Sequence, residues 1–194
     1  MRAAPFSTDK RVCRTCSLLQ KAYLNLLTQL PEEKISVAAV CRGADINRST
    51  FYQHYDDLAD LKDDLLVRFL NEVDVQCRII KEQPLSSDQV MHLILSMIQE
   101  HQVLLRVFVV EHTDTDLWNQ LDRRIQDLFW SKLKQGSAYF ARLSSDEQQN
   151  ILLFLTYGFY AIFRRWIMSG CKEEIESLTS TATALTNRCI KAEE

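Results

Sequence analysis

The run INRSTFYQHYDD, residues 46–57, gathers Asn47, Arg48, Ser49, Thr50, Tyr52, Gln53 and His54 around two apolar side chains, Ile46 and Phe51. Such a density of donors suits either catalysis or a surface that grips phosphates. The residues upstream decide between them. Ser36 can cap a short helix, VAAVCRGA, in which Val37, Val40 and Cys41 form an apolar side and Ala38 and Ala39 permit close packing. Asp45-Ile46 makes a tight turn, and Asn47 caps a second short helix, RSTFYQHY. Before them, a longer helix starting after Ser7 or Thr8 and running to Leu30 places Val12, Cys16, Leu19, Tyr23, Leu26 and Leu30 on one face, and Pro31 stops it.

Two short helices joined by about three residues and braced by a longer one make a helix-turn-helix. In that geometry the second helix enters the DNA major groove. Phe51 and Ile46 then lock the pair from inside. Arg48, Ser49, Thr50 and Gln53 face outward, Tyr52 and His54 donate to phosphate oxygens, and so do Ser36 and the helix start at Val37.

Residues 35–61, ISVAAVCRGADINRSTFYQHYDDLADL, resemble the DNA-binding signature of the TetR family of bacterial transcription regulators. Ser36, Ala44, Ile46, Arg48, Ser49, Thr50, Phe51, Tyr52, His54 and Tyr55 match it position by position. Two positions depart from it. Asp45 stands where members usually have Gly in the turn; Asp tolerates a left-handed backbone, so the turn survives. Leu58 stands where many members place a Lys against a phosphate, which lowers the expected affinity and salt dependence. The resemblance implies a DNA-binding head over residues 1–55 and a ligand-binding and dimerisation domain over 56–194.

Composition agrees with an all-α fold: 194 residues, 46% hydrophobic, with only 4 Gly and 3 Pro, and no alternating strand pattern. The formal charge of −3 divides unevenly. Residues 1–55 hold eight Lys/Arg against four Asp/Glu, a net of +4, which leaves −7 for the remainder. A basic head and an acidic body fit one module that meets a polyanion and another that stays in solution. No apolar run is expected to reach the roughly 18 residues of a membrane span, and the N-terminus carries no signal-like stretch, so a cytoplasmic protein is expected. Its six cysteines are then reduced thiols. Cys13 and Cys16 form a CxxC without a second pair or a neighbouring His, which reads as helix packing rather than zinc.

Downstream, residues 57–83 form a long fourth helix with Leu58, Leu61, Leu65, Phe69 and Val73 inside. Ser86 or Ser87 caps the next, and residues 102–112 are apolar enough for burial on several sides. Residues 114–140 read as one helix with Leu117, Leu121, Ile125, Leu128 and Phe129 inside. Another begins at Ser144 or Ser145 and continues to Gly170. In the last helix Ile175, Leu178, Ala182, Leu185 and Cys189 recur at three- and four-residue steps, a heptad seam.

That seam has two readings: packing on the preceding helix, or a homodimer through the last two helices of each subunit. The resemblance implies the dimer, with Leu155, Gly158, Ile162, Trp166, Leu178, Ala182 and Leu185 at the interface. Two recognition helices about 34 Å apart then read a palindromic double-stranded operator. The resemblance also implies a pocket for a small-molecule effector, for which the candidates are His92, Phe108, Trp118, Phe129, Tyr157 and Tyr160; aromatics at this spacing also serve simply as core. His92, His101 and His112 show no metal-ligand spacing, and no cofactor is implied. No glycine-rich phosphate loop or nucleophile elbow supports an enzyme. A redox-responsive regulator using Cys13, Cys16, Cys41, Cys77, Cys171 or Cys189 is the alternative to the effector-released repressor.

Overall fold

The computed structural model describes residues 10–111 and 114–190, and these form an all-α protein. The caps expected at Ser7 or Thr8, and His112, lie outside the described residues. The helices run α1 (Lys10–Leu27), a 3₁₀ turn (Glu32–Lys34), α2 (Val37–Ala44), α3 (Arg48–Tyr52), α4 (Leu58–Glu82), α5 (Ser87–Glu100), α6 (Gln102–Leu104), which continues as a π-helix (Leu105–Glu111), α7 (Thr115–Gly136), α8 (Ala138–Arg142), α9 (Ser145–Met168) and α10 (Ile175–Ile190). The chain folds as two compact units, Met1–Glu72 and Val73–Glu194. The division between these two units falls inside α4.

In the first unit α1 packs on α2. It buries Cys16, Leu19, Gln20, Ala22, Tyr23 and Leu27. It ends at Leu27, a turn before the expected stop, and leaves Leu30 exposed. A Cβ on Gly43 would lie 3.3 Å from the Ala22 Cβ, so glycine lets the two helices approach. Tyr23 donates to Glu32 Oε1 at 2.8 Å, and Lys62 pairs with Glu32 at 3.5 Å, tying α1 and the start of α4 to the 3₁₀ turn.

In the second unit α5 packs on α10, and α7 on α9. Capping boxes start α5 (Ser86 with Gln89) and α9 (Ser144 with Glu147). The single helix expected over 114–140 breaks at Ser137, whose hydroxyl accepts the Phe140 amide at 3.1 Å and starts α8. The π-helix buries Leu105, Val107, Phe108 and Val109, as continuous apolar character demands. By length and apolar content α9 suffices to cross a bilayer, contrary to the expectation that no run would. It instead buries Leu152, Leu155, Phe159, Trp166 and Ile167 in the second unit's core, and Trp166 Nε1 donates to the Glu173 carbonyl at 3.0 Å.

Candidate nucleic-acid interface

Two side-chain caps build the helix-turn-helix. Ser36 accepts the Ala39 amide at 3.3 Å and starts α2; Asn47 Oδ1 accepts the Ser49 amide at 3.5 Å and starts α3. Between them Asp45 takes the left-handed conformation, φ 54° and ψ 44°. Its N–H donates to the Arg42 carbonyl and the Ile46 N–H donates to the Cys41 carbonyl at 2.9 Å, which is the Schellman pattern. The turn therefore forms with Asp in place of Gly.

Phe51 is fully buried beneath α3, while Arg48, Ser49 and Gln53 are exposed and Thr50 is half-buried. Tyr52 stays 58% exposed and rests edge-on against Phe51, ring centroids 5.4 Å apart, so its phenol is propped outward without being covered. Ser36 is exposed and keeps its O–H as a donor after accepting the cap bond; Val37 beside it is half-buried. Asn47's oxygen is committed to its cap. His54 is half-buried, and its Nδ1 is enclosed without a hydrogen-bond partner among the described residues. Only its other ring nitrogen remains for a phosphate.

A polar cluster missing from the sequence reading anchors this module. Tyr55 donates to Asp64 Oδ2 at 2.7 Å, Gln20 Nε2 to the same oxygen at 3.0 Å, and Arg68 Nε to Asp64 at 2.9 Å. Tyr55, the third residue beyond α3, is thereby tied to α1 and α4. Burial first, then hydrogen bonds to Cys16 and Asp64, push the Tyr55 phenol up, so it stays a donor. The available signals were Gln20 on an apolar helix face and Asp64 in line with Leu61 and Leu65.

The start of α4 carries carboxylates rather than a cation. Asp57 Oδ1 accepts the Asp60 amide at 2.9 Å and Asp60 Oδ2 accepts the Asp56 amide at 3.0 Å. Leu58 is half-buried at the first position. Residues 56–72 add six acids and two bases, which returns the first unit as a whole to zero net charge. The positive excess belongs to α1, α2 and α3, not to the unit.

Burial raises the thiol pKa of Cys16, Cys41, Cys77 and Cys171; Tyr55 partly offsets this at Cys16, Arg48 at Cys41 and Lys81 at Cys77. Raised values lower the thiolate fraction at these four positions. Among the described residues no group of three His, Cys, Asp or Glu side chains is placed to hold a metal ion.

Among the described residues, the six expected effector residues stand as follows. Phe108 is core, and Trp118 and Tyr160 cover each other at 4.2 Å between ring centroids. Tyr157 is exposed, His92 lines a shallow cleft beside Asp88 and Glu176, and Phe129 lines a different one. The expected dimer seam is likewise divided. Leu155, Trp166, Leu178 and Ala182 are buried within their own subunit and Ile162 is half-buried, because the apolar faces of α9 and α10 pack inside the second unit. Gly158 faces open space, and Leu185 is 40% exposed. The outward face of α9 carries Phe154, Tyr157, Gly158 and Ala161, then Arg164 and Arg165, then Met168, with Phe154 70% exposed.

Residues 86–188 match the family model TetR_C_8, described as a transcriptional regulator C-terminal region. An uncharacterized HTH-type transcriptional regulator, YxbF of Bacillus subtilis (strain 168), is 35% identical over 66 residues, a stretch of 34% of this chain and 17% of that relative. Among solved structures, the dihydroxyacetone kinase operon activator DhaS superposes with a TM-score of 0.63 at 21% identity, over 91% of this chain and 96% of its own. A TetR transcriptional regulator from Streptococcus agalactiae 2603V does so with a TM-score of 0.61 at 18% identity, over 92% and 96%. At such identities these likenesses speak for the fold alone. The family match covers more than half of the chain, and with the helix-turn-helix ahead of it the conclusion is direct: this protein belongs to the TetR family of transcriptional regulators.

Proposed function

We propose that this regulator is a cytoplasmic repressor that binds a palindromic double-stranded operator as a homodimer and is released by a small effector. The observation that carries the DNA reading is the split of α3: Phe51 wholly inside, Arg48, Ser49, Tyr52 and Gln53 wholly available outside. Arg48, Ser49 and Gln53 take the base edges, and Ser36, Val37, Thr50, Tyr52 and His54 take phosphates, with Asn47 holding the helix start. The dimer surface in this reading is the outward face of α9 with Leu185 of α10. The apolar patch of Phe154, Tyr157, Gly158 and Ala161, bordered by Arg164 and Arg165, supports this, since a second copy can cover the 70%-exposed Phe154 symmetrically. An effector acts through α4, the helix common to both units, and only by preferring one of two states.

Fluorescence anisotropy of the protein with its own upstream intergenic DNA and a scrambled control, over a salt series, tests this. Selective binding with two subunits per site supports the reading. Equal, weak binding to both DNAs over the whole series rejects it.

A further inference from the structure

We propose that Tyr55 and Asp64 are positioning residues for base readout: their hydrogen bond sets the angle at which α3 is presented to DNA. Tyr55 is 4% exposed and the Asp64 side chain 10%, so both act through α3 rather than on the nucleic acid. The proposal rests on the DNA reading above and names the groups that hold α3 in place for it.

A five-residue helix is not stable alone, so its orientation comes from what it is tied to. Within α3, Phe51 is the side chain that is fully buried. Apolar burial is non-directional: one ring fixes the depth of the helix but leaves it able to rock. The preceding turn ties the front of α3, through the Ile46 N–H to the Cys41 carbonyl at 2.9 Å. The rear needs a directional tie of its own, and Tyr55 supplies it. The Tyr55 N–H donates to the Phe51 carbonyl at 2.9 Å, so this residue moves with the helix. Its ring centroid lies 5.7 Å from that of Phe51. Its hydroxyl donates to Asp64 Oδ2 on α4 at 2.7 Å.

Asp64 is in turn a fixed receiver. Arg68 Nε lies 2.9 Å from each of its oxygens, and Gln20 Nε2 donates to Oδ2 at 3.0 Å from α1. Stability alone does not account for such a group. Burying a charge is costly, and a well-packed apolar pair serves a core as well or better. A short, directional bond does what an apolar pair cannot, which is to lock a neighbouring element at one angle. Base edges require that angle, because their donors and acceptors must be met in line. Random DNA is held through its phosphates and the summed charge, which demand less of it.

Fluorescence anisotropy of the full-length protein with its own upstream intergenic DNA and the scrambled control tests this, with each variant's folded fraction followed by circular dichroism. Tyr55→Phe removes one oxygen and keeps the ring. It should lose about tenfold in affinity for the upstream DNA and less than about twofold for the scrambled DNA. Asp64→Leu should shift the ratio in the same direction, and adding Tyr55→Phe to it should cost nothing further, because the contact is already gone. The double variant leaves two apolar side chains, and Arg68, 27% exposed, can turn to solvent, so it carries the test where a single variant does not fold. Leu27→Ala, a buried change on α1 outside the network, should lower the melting temperature yet keep the ratio of the two affinities. A folded Tyr55→Phe with the wild-type ratio, a further loss on adding it to Asp64→Leu, an equal fall of the ratio in Leu27→Ala, or an unfolded double variant overturns the positioning role. Wild-type protein that does not discriminate the two DNAs removes the DNA reading, and this proposal with it. Wild-type protein that discriminates, beside a folded Tyr55→Phe that does so equally, removes the positioning role alone.

Discussion

The recognition module and the last two helices solve opposite problems with similar materials. In the module, the residues that fold α2 and α3 and the residues offered to DNA lie in one stretch, 36–55. Ser36 and Asn47 cap, Asp45 turns, Phe51 fills, and the positions between them face out. In α9 and α10 the apolar residues outnumber those that one face can hold, and two apolar faces result. One carries Leu155, Phe159, Trp166, Leu178 and Ala182 inward; the other carries Phe154, Tyr157 and Met168 outward. Local capping fixes which side chains a short helix exposes. For a long helix that is apolar on two sides, only the neighbours decide which face is core.

The sharpest way to break this comparison is Phe51→Ala. Removing a fully buried ring from so small a module is expected to cost about 3–5 kcal/mol. Hydrogen exchange should then accelerate across α2 and α3 while α9 and α10 stay protected; equal loss of protection in both units would mean that they do not fold separately. Phe154→Asp comes next. It places a charge in the outward stripe of α9 without touching the core, so sedimentation should report a monomer with an unchanged circular dichroism spectrum. Operator affinity should fall by about a hundredfold as the second half-site contact is lost. An intact dimer would move the interface elsewhere.

Gln53→Ala should lose about 1–3 kcal/mol of discrimination at one base pair, whereas Tyr52→Phe should weaken cognate and random DNA alike. Identical behaviour of the two variants in a binding-site selection would undo the division of roles on α3. Leu58→Lys adds a cation among Asp56, Asp57 and Asp60. The slope of log affinity against log salt should then steepen by about one, with tighter binding at low salt. The smallest effect is expected from Asp45→Gly. Relief of the left-handed backbone should raise stability by about 0.5–1 kcal/mol in chemical denaturation, with no change in base preference.

Much of the first unit was legible because its signals are short-range. A cap bond spans two or three residues, and the Schellman turn spans five, so the spacing of Ser36, Asp45 and Asn47 nearly determines the backbone. What escaped is long-range. Asp64 meets Gln20 across 44 positions, and no local pattern marks that pair. The charge reading was right for residues 1–55 but did not foresee that six acids up to Glu72 fold into the same unit. In the second unit the helices were legible from periodicity. The break at Ser137 and the π-helix were not, since each depends on how neighbouring side chains crowd.

The sequence by itself determined that this chain is all-α, that it carries a helix-turn-helix, and which family it joins. Helical periodicity, caps and turn chemistry act over a few residues and are written in order along the chain. Tertiary structure alone decided that Leu155, Trp166, Leu178 and Ala182 face their own core, and that Phe154 and Tyr157 are left outside. It also decided that the aromatics of the body split between core, surface and a cleft. The reason is physical: burial is a property of what packs against a side chain, and a heptad spacing names a face without naming its partner.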